Sequence, residues 1–426
     1  MSKMCLATAP VVSSLRSDQP DPRATIQRIL YDNWRAFAAQ SPQPYFAHRA
    51  AFLLAHCRTA LMGGHVERCE HGHVEKVHYN SCRHRCCPGC SAAPRKAWLD
   101  KQQGKMLDTA SMQIVFTLPS EFAKLWRMNK QLIADILFNS SKDSLLELLA
   151  DPQYLGAQPG LLAALHTWSQ TLSAHPHVHY IVTFGGLDKD GVWKTPSREC
   201  LLPRQVLMSM FRGKFLSAVR RKINANKVAM PQGWTKTKCL SMLNQLGRAP
   251  WNVKLLERYA HAKGVTLYLA RYLRGGPIGN RRIVSYSQGK VTFRYLDRTN
   301  SANPQTKEMT LPVEKFLERW SQHIPPAKMH SVRAYGLYAS SNRKRLEQAR
   351  SQLTPPVAQK PETTTTVNEA QVQEETKQKR CPICESQLFA EALEFEEPVR
   401  PWHVYRAKRV VRNERAPPGQ EELPNE

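Results

Sequence analysis

The sequence predicts an α+β protein, and three features carry that expectation. Apolar residues recur at helical spacing in several stretches, first at Ile26, Ile29, Leu30, Trp34 and Phe37. The run from Tyr180 to Phe184 is apolar or β-branched, as a central buried strand would be. Ser287-Gln288-Gly289-Lys290 separates two short strand-like runs as a hairpin turn would. Strands and helices interleave along the chain, and no Gly-rich phosphate loop occurs.

Taken in order, residues 1–20 are polar and read as loose, and residues 23–40 read as a packing helix. Ser41-Pro42-Gln43-Pro44 breaks it, because proline lacks the N–H that would continue the ladder, and a second helix is expected over 45–61. Further helices are expected over 93–107, 132–149, 161–172, 205–222 and 313–322, with strands over 111–117, 175–184, 251–255, 282–286 and 291–295. The helix over 205–222 carries Arg212, Lys214, Arg220, Arg221 and Lys222, a run that suits either a solvated face or contact with DNA. Residues 329–337 carry His330, Arg333 and Tyr335, and residues 351–380 have the Pro- and Thr-rich composition of a linker. The expected organisation is a helical region 1–62, a cysteine- and histidine-rich domain 63–107, a main α+β domain 108–345, a linker 346–380 and a basic tail 381–426.

With 426 residues, 42% hydrophobic and 23% charged, the chain can bury a sizeable core. Its 61 Lys and Arg against 35 Asp and Glu give a net charge of +26, a field that favours a polyanion, with nucleic acid the first expectation. No uninterrupted apolar run of about 18 residues is present, which argues against a membrane partner. The first residues lack the apolar core of a signal peptide, so a cytoplasmic location is expected. The 11 cysteines then read as thiols or metal ligands rather than disulfides.

Two stretches carry chemistry. In His175-Pro176-His177-Val178-His179, side chains alternate faces, so His177 and His179 project from one side, roughly 6.6 Å apart, and can grip one cation. The plain alternative is a pair of half-buried histidines. On the expected helix ending at Gly275-Gly276-Pro277, Tyr268 and Tyr272 fall one turn apart on one face, where packing is the plain alternative to chemistry. Between Cys69 and Cys90, cysteines and histidines crowd together, and Cys87-Pro88-Gly89-Cys90 is a knuckle that places two thiolates on one metal. Cys381-Pro382-Ile383-Cys384 repeats the knuckle, with only this one pair visible.

Cys57-Arg58-Thr59-Ala60, Gly64-His65-Val66, Tyr79-Asn80-Ser81-Cys82, Cys87-Pro88-Gly89-Cys90, Phe116-Thr117-Leu118-Pro119, Leu165-His166-Thr167-Trp168, the block from His175 to Gly186 and that from Tyr268 to Pro277 occur in an order that resembles the HUH endonucleases. Among these, the chain resembles the two-tyrosine rolling-circle insertion-sequence transposases, relatives of Helitron and replication-initiator proteins, over roughly residues 50 to 340. The resemblance implies an HUH-type antiparallel sheet with helices packed on one side, plus a helical and zinc-binding N-terminal region. It implies Tyr268 and Tyr272 as nucleophiles that nick and rejoin single-stranded DNA through 5′-phosphotyrosine, with Mg²⁺ or Mn²⁺ on His177 and His179. A third ligand, among His166, Gln170 and His175, is left open. Transposon ends and target DNA are the implied partners, with host replication proteins as further candidates.

In the resembling family the pair upstream of the knuckle looks like Cys-x-x-Cys, whereas here Gly72 stands at that spacing from Cys69. His73 or His71 would substitute, and Cys82 is the other candidate, so the expected zinc ligands are drawn from Cys69, His73, Cys82, Cys87 and Cys90. Cys86 stands where the family tends to have histidine. Arg83, Arg85 and Arg271 are the expected DNA contacts. The competing readings are a rolling-circle replication initiator or relaxase, and a non-catalytic zinc DNA-binding protein.

Overall fold

The computed structural model describes residues 25–196, 202–260, 276–297, 303–353 and 380–393. The chain divides into two units: His56–Cys82 joins residues of the C-terminal segment in the smaller, and Pro22–Ala55 joins Arg83–Thr364 in the larger. Helix α1 (Ile26–Gln40) and helix α2 (Tyr45–Ala55) thus belong to the larger unit, while strands β1 (Gly64–Cys69) and β2 (Val74–Tyr79) form a hairpin in the smaller.

The larger unit continues with α3 (Ala92–Gln103), β3 (Ser111–Thr117), α4 (Ala123–Met128), α5 (Lys130–Ala150), β4 (Gln158–Trp168), β5 (Ala174–Leu187) and the short β6 (Trp193–Lys194). Next come α6 (Arg204–Asn224), α7 (Lys236–Arg248), β7 (Asn252–Tyr259), β8 (Ile283–Ser287), β9 (Lys290–Asp297), β10 (Gln305–Pro312), α8 (Val313–Ser321), β11 (Val332–Gly336) and α9 (Arg343–Leu353). The principal sheet runs in the order β11-β4-β5-β3-β7, with β6 added to β5, and all its pairings are antiparallel. Antiparallel strands beside packed helices make the fold α+β.

Strand β5 is the middle strand, and its two faces differ. Val178, Tyr180, Val182 and Phe184 join the main core with Ile114 and Phe116 of β3, Leu161, Ala163 and Leu165 of β4, and residues of α5, α6 and α7. Tyr180 closes this face by a hydrogen bond between its hydroxyl and Ser141 Oγ on α5, 2.8 Å apart. The opposite face presents His177, His179 and Ile181 from β5, with Leu162 and Ala164 from β4 and Met106 packed beside Ile181.

Residues 158–168 correct the sequence reading. They form strand β4, whereas a helix is expected over 161–172. Every residue from Pro159 to His166 is Pro, Gly, Leu, Ala or His, so neither parity is distinctly polar and the period-two alternation is hidden. Leucine and alanine favour helices in isolation, but here both faces of the strand are covered, and the pairing with β5 and β11 overrides that preference. Helix α7, not expected from the sequence, is capped by Thr235, whose side chain accepts the Lys238 N–H at 3.1 Å, and buries only Cys239, Leu243 and Leu246. Residues 343–353, within and just before the expected linker, form α9 and bury Ala349.

A second three-stranded sheet, β10-β9-β8, turns between β8 and β9 at Gln288 and Gly289, both at positive φ, as a tight hairpin requires. Helix α1 packs by this sheet and α8: Asn33 Nδ2 donates to the Tyr286 hydroxyl at 2.6 Å, and Trp34 meets Trp320 edge to face.

The smaller unit is a three-stranded antiparallel sheet in which the C-terminal strand β12 (Leu388–Leu393) adds to β1, in register from Gly64 opposite Leu393 to Cys69 opposite Leu388. Among the described residues no helix is long and apolar enough to cross a membrane.

In the main core, Phe211 is fully buried with ring centroids 4.9 Å from Phe116 and 5.5 Å from Trp251. Phe211→Ala leaves a cavity where α6 meets β3 and is expected to cost about 3–5 kcal/mol, read as a lowered midpoint in chemical denaturation.

Candidate metal centre

The register of β4 against β5 builds the histidine group. His166 lies directly across from His177, and Ala164 across from His179, so one more imidazole from β4 meets the two from β5 on the face away from α5 and α6. One nitrogen from each of His166, His177 and His179 lies within 4.8 Å of the others. The ring centroids are 4.5 Å apart for His166 and His179, 4.9 Å for His177 and His179, and 5.3 Å for His166 and His177.

Neighbouring polar groups orient two of these rings. His177 Nδ1 lies 2.6 Å from the His175 carbonyl, which can only accept, so Nδ1 carries the proton and Nε2 is left as a ligand atom. His179 Nδ1 is 2.8 Å from the Gln113 side-chain amide, on the neighbouring strand β3. The atom facing Nδ1 is the amide nitrogen, so this contact fixes the orientation of the ring. Gln113 is not marked by the sequence as a functional residue; its signal is position, two strands from β4 on the histidine face of a sheet whose register was needed first.

Burial keeps these imidazoles neutral. It lowers His166 well below the ordinary imidazole range, with nearby His179 and His177 adding to the effect. Burial pushes His177 down to about 3, reinforced by His179, and His179 down to about 4, reinforced by His175. A desolvated, uncharged imidazole has a lone pair to give, which is what metal ligation needs. Three converging neutral nitrogens, one with its tautomer fixed, fit a divalent cation and leave its charge undiminished by the protein.

The other expected residues are distributed as follows. His175 is exposed at the start of β5 and stands outside the three-nitrogen group. Gln170 sits in the turn after β4, where its Oε1 accepts the Leu296 N–H at 3.4 Å. Tyr268, Arg271 and Tyr272 lie outside the described residues. Arg83 is exposed at positive φ, and Arg85 donates to the Met329 carbonyl at 2.9 Å. On α6, Arg212 donates to the Ala249 carbonyl and Lys214 pairs with Glu147, so part of that basic run serves the fold.

Of the expected zinc ligands, Cys69 and His73 lie with Cys381 and Cys384, one ligand atom from each within 4.8 Å of the rest. Cys82 stands beside Cys57, whose Sγ accepts the Cys82 N–H at 3.4 Å in the smaller unit. Cys87 and Cys90 belong to the larger unit, in a turn closed by the Cys90 N–H on the Cys87 carbonyl at 3.2 Å.

An antiparallel α+β sheet carrying an imidazole triad, in a basic chain with cysteine knuckles, describes a metal-binding protein suited to a polyanion. Comparison with known proteins makes this specific. Residues 160–345 match the family described as "Putative transposase", and residues 29–118 match the transposase zinc-binding domain of the IS91 type. The chain is 34% identical over 306 residues, 70% of its length, to "Putative transposase y4qJ" of Sinorhizobium fredii, covering 76% of that protein. It is 31% identical over 291 residues, 67% of its length, to "Transposase for insertion sequence element IS801" of Pseudomonas savastanoi pv. phaseolicola, covering 68% of it. The chain belongs to the insertion-sequence transposases of the IS91 and IS801 type, with a zinc-binding domain at its N-terminal end, and DNA is its partner.

The depressed histidines set a pH dependence. Their folded pKa values lie below the ordinary imidazole value, so the unfolded chain binds more protons as pH falls from about 7 towards 4, and acid favours unfolding. His84 and His323, each pushed down to about 4 by burial, act in the same direction. The metal-free protein is expected to have a lower urea midpoint at pH 5 than at pH 7, with His177→Gln reducing the difference; equal midpoints at both pH values would contradict neutral buried imidazoles.

Proposed function

We propose that this transposase is an HUH single-strand DNA endonuclease and strand transferase, which moves its element by rolling-circle transposition through 5′-phosphotyrosine intermediates. The convergence of His166, His177 and His179 on one face of the central sheet, in a chain of the transposase family, carries the reading. The nuclease is assigned to residues 108–345, which hold the triad and both tyrosines.

In this reading the Tyr268 or Tyr272 oxygen attacks phosphorus, a P–O(Tyr) bond forms and the P–O3′ bond breaks. The tyrosine proton leaves as the attack proceeds, and the departing O3′ takes up a proton to become a free hydroxyl. Because the phosphotyrosine keeps the energy of the broken ester, a 3′-hydroxyl from another strand can reverse the step and join there without an external energy source. Two tyrosines one turn apart let one hold the first cut end while the other makes the second cut. When bound on His166, His177 and His179, Mg²⁺ or Mn²⁺ supplies charge neutralisation on the scissile phosphate. The His175 carbonyl contributes by holding the His177 ring in the ligating tautomer, and Gln113 by orienting the His179 ring. Lys254, on the neighbouring β7 opposite Val115, and Arg271, Arg83 and Arg85 are assigned to the DNA backbone.

For the N-terminal zinc-binding domain, we assign the Cys87–Cys90 knuckle as a zinc-ligating pair with a structural role.

The deciding experiment incubates the protein with labelled single-stranded DNA carrying the element's ends, with Mg²⁺ or Mn²⁺. A covalent adduct is expected on a denaturing gel for the wild type and for one or both single variants Tyr268→Phe and Tyr272→Phe, but not for the double variant. His177→Ala is expected to slow adduct formation by about 10²-fold or more, the scale of a lost phosphate-neutralising charge. No adduct with any metal while DNA binding persists would leave a non-catalytic zinc protein instead.

The net charge of +26 further implies that DNA binding is carried largely by phosphate contacts. Raising salt from 50 to 200 mM is expected to weaken binding by about 10³-fold in an equilibrium titration, the scale for some six neutralised phosphates.

A further inference from the structure

We infer that Cys69, His73, Cys381 and Cys384 form a structural zinc site of three thiolates and one imidazole, which fastens the C-terminal Cys-Pro-Ile-Cys knuckle to the N-terminal β1–β2 hairpin. The matched zinc-binding domain ends at residue 118 and so does not contain half of this ligand set.

The distances are those of a tetrahedron around zinc. Zn–S bonds of about 2.3 Å and Zn–N bonds of about 2.0 Å place ligand atoms roughly 3.5–3.8 Å apart along its edges. Cys69 Sγ lies 3.5 Å from His73 Nδ1, Cys384 Sγ lies 3.6 Å from Cys69 Sγ, and Cys381 Sγ lies 3.8 Å from His73 Nδ1. A disulfide needs about 2.05 Å between sulfurs, so the 3.6 Å pair is unbonded.

Both halves have the backbone of a metal knuckle. In the first, the Gly72 N–H bonds the Cys69 carbonyl at 2.9 Å and the Cys69 N–H bonds the His73 carbonyl at 3.1 Å, with Gly72 at φ +79°. In the second, the Glu385 N–H bonds the Cys381 carbonyl at 2.8 Å and the Cys381 N–H bonds the Ser386 carbonyl at 2.8 Å, with Glu385 at φ +58°. Each tight turn brings its two ligands to one side. The loss of the usual second cysteine is met by shifting to His73, one residue beyond Gly72, where an imidazole is long enough to reach the same point.

The sheet also needs such a fastening. Its described residues bury few large apolar side chains, Val66 being one, while Phe389 on β12 is 53% exposed. A small sheet with so thin a core gains its stability from metal or cross-links. His73 and Cys381 are 308 positions apart, so a common ion closes a very long loop and restricts the unfolded chain accordingly.

The test uses full-length protein purified under reducing conditions, with zinc counted per chain by mass spectrometry of the element. Cys381→Ser/Cys384→Ser is expected to lose one zinc relative to wild type, and residues 380–393 to become a protease-sensitive segment in that variant or after chelation. Cys384→His is expected to keep the zinc count, while cobalt substituted for zinc loses about a third of the thiolate charge-transfer intensity arising from this site. That conservative variant decides the matter even where the double variant fails to fold. An unchanged zinc count in the double variant, an unchanged cobalt spectrum in Cys384→His, or a Cys69–Cys384 disulfide in peptide mapping overturns the inference. None of these readouts involves the tyrosine adduct, so the site stands or falls apart from the nuclease reading.

Discussion

The register of β5 between β3 and β4 is the constraint on which the larger unit depends. Strand side chains alternate strictly, so a slip of one residue would turn His177 and His179 into the helical layer and bring Val178, Tyr180 and Val182 to the other face. Burying two imidazoles among Phe116, Phe211 and Leu137 without partners would cost about 1–3 kcal/mol for each unpaired group. The Tyr180–Ser141 hydrogen bond adds a polar check on the same register, because a slip of one residue would bring His179 or Ile181 to that place instead. The core that holds the sheet together is thereby also the device that aims the histidines.

That arrangement reconciles two demands that otherwise oppose each other. A chain with a net charge of +26 attracts nucleic acid, but the same field repels a metal cation. The triad meets this by desolvation: its imidazoles stay neutral and add no positive charge of their own at neutral pH. A cation held by neutral ligands keeps its full charge for an anionic substrate, whereas a set of carboxylates would spend it. Strong attraction for the backbone and a metal site can then share one surface.

Much of this was legible in the chain, and the failures have physical causes. β3 and α5 fall where periodicity places them, and the His177–His179 pair is visible because alternation is sharp on a strand with one apolar and one imidazole face. β4 was hidden since both its faces are buried, so the third imidazole, His166, could be offered only as one option among three. Gln113 became visible only once β3 was seen to lie beside β5, because a lone glutamine in an apolar strand has no sequence signal of its own. The partner of Cys381 and Cys384 lay more than three hundred residues away, beyond any spacing rule, and β12 that carries the knuckle into place is too short to stand out. The tyrosine segment lies outside the described residues, so its reading rests on the sequence alone.

The cysteine-rich stretch is also not one structural piece, which changes how its parts relate to catalysis. Cys69 and His73 belong with a C-terminal segment in the smaller unit, whereas the Cys87–Cys90 turn belongs to the unit that carries the histidines. Within that larger unit, Gly276 passes so close to the Cys86 carbonyl that a Cβ there would lie 2.5 Å from the oxygen. Gly276 immediately follows the segment bearing Tyr268 and Tyr272, and Arg85 ties the same turn to the Met329 carbonyl at 2.9 Å. The backbone around Cys86 therefore meets Gly276 at a contact that tolerates no side chain. Order imposed on this turn by metal ligation at Cys87 and Cys90 would be passed directly to Gly276, so the knuckle is built into the larger unit rather than appended to it.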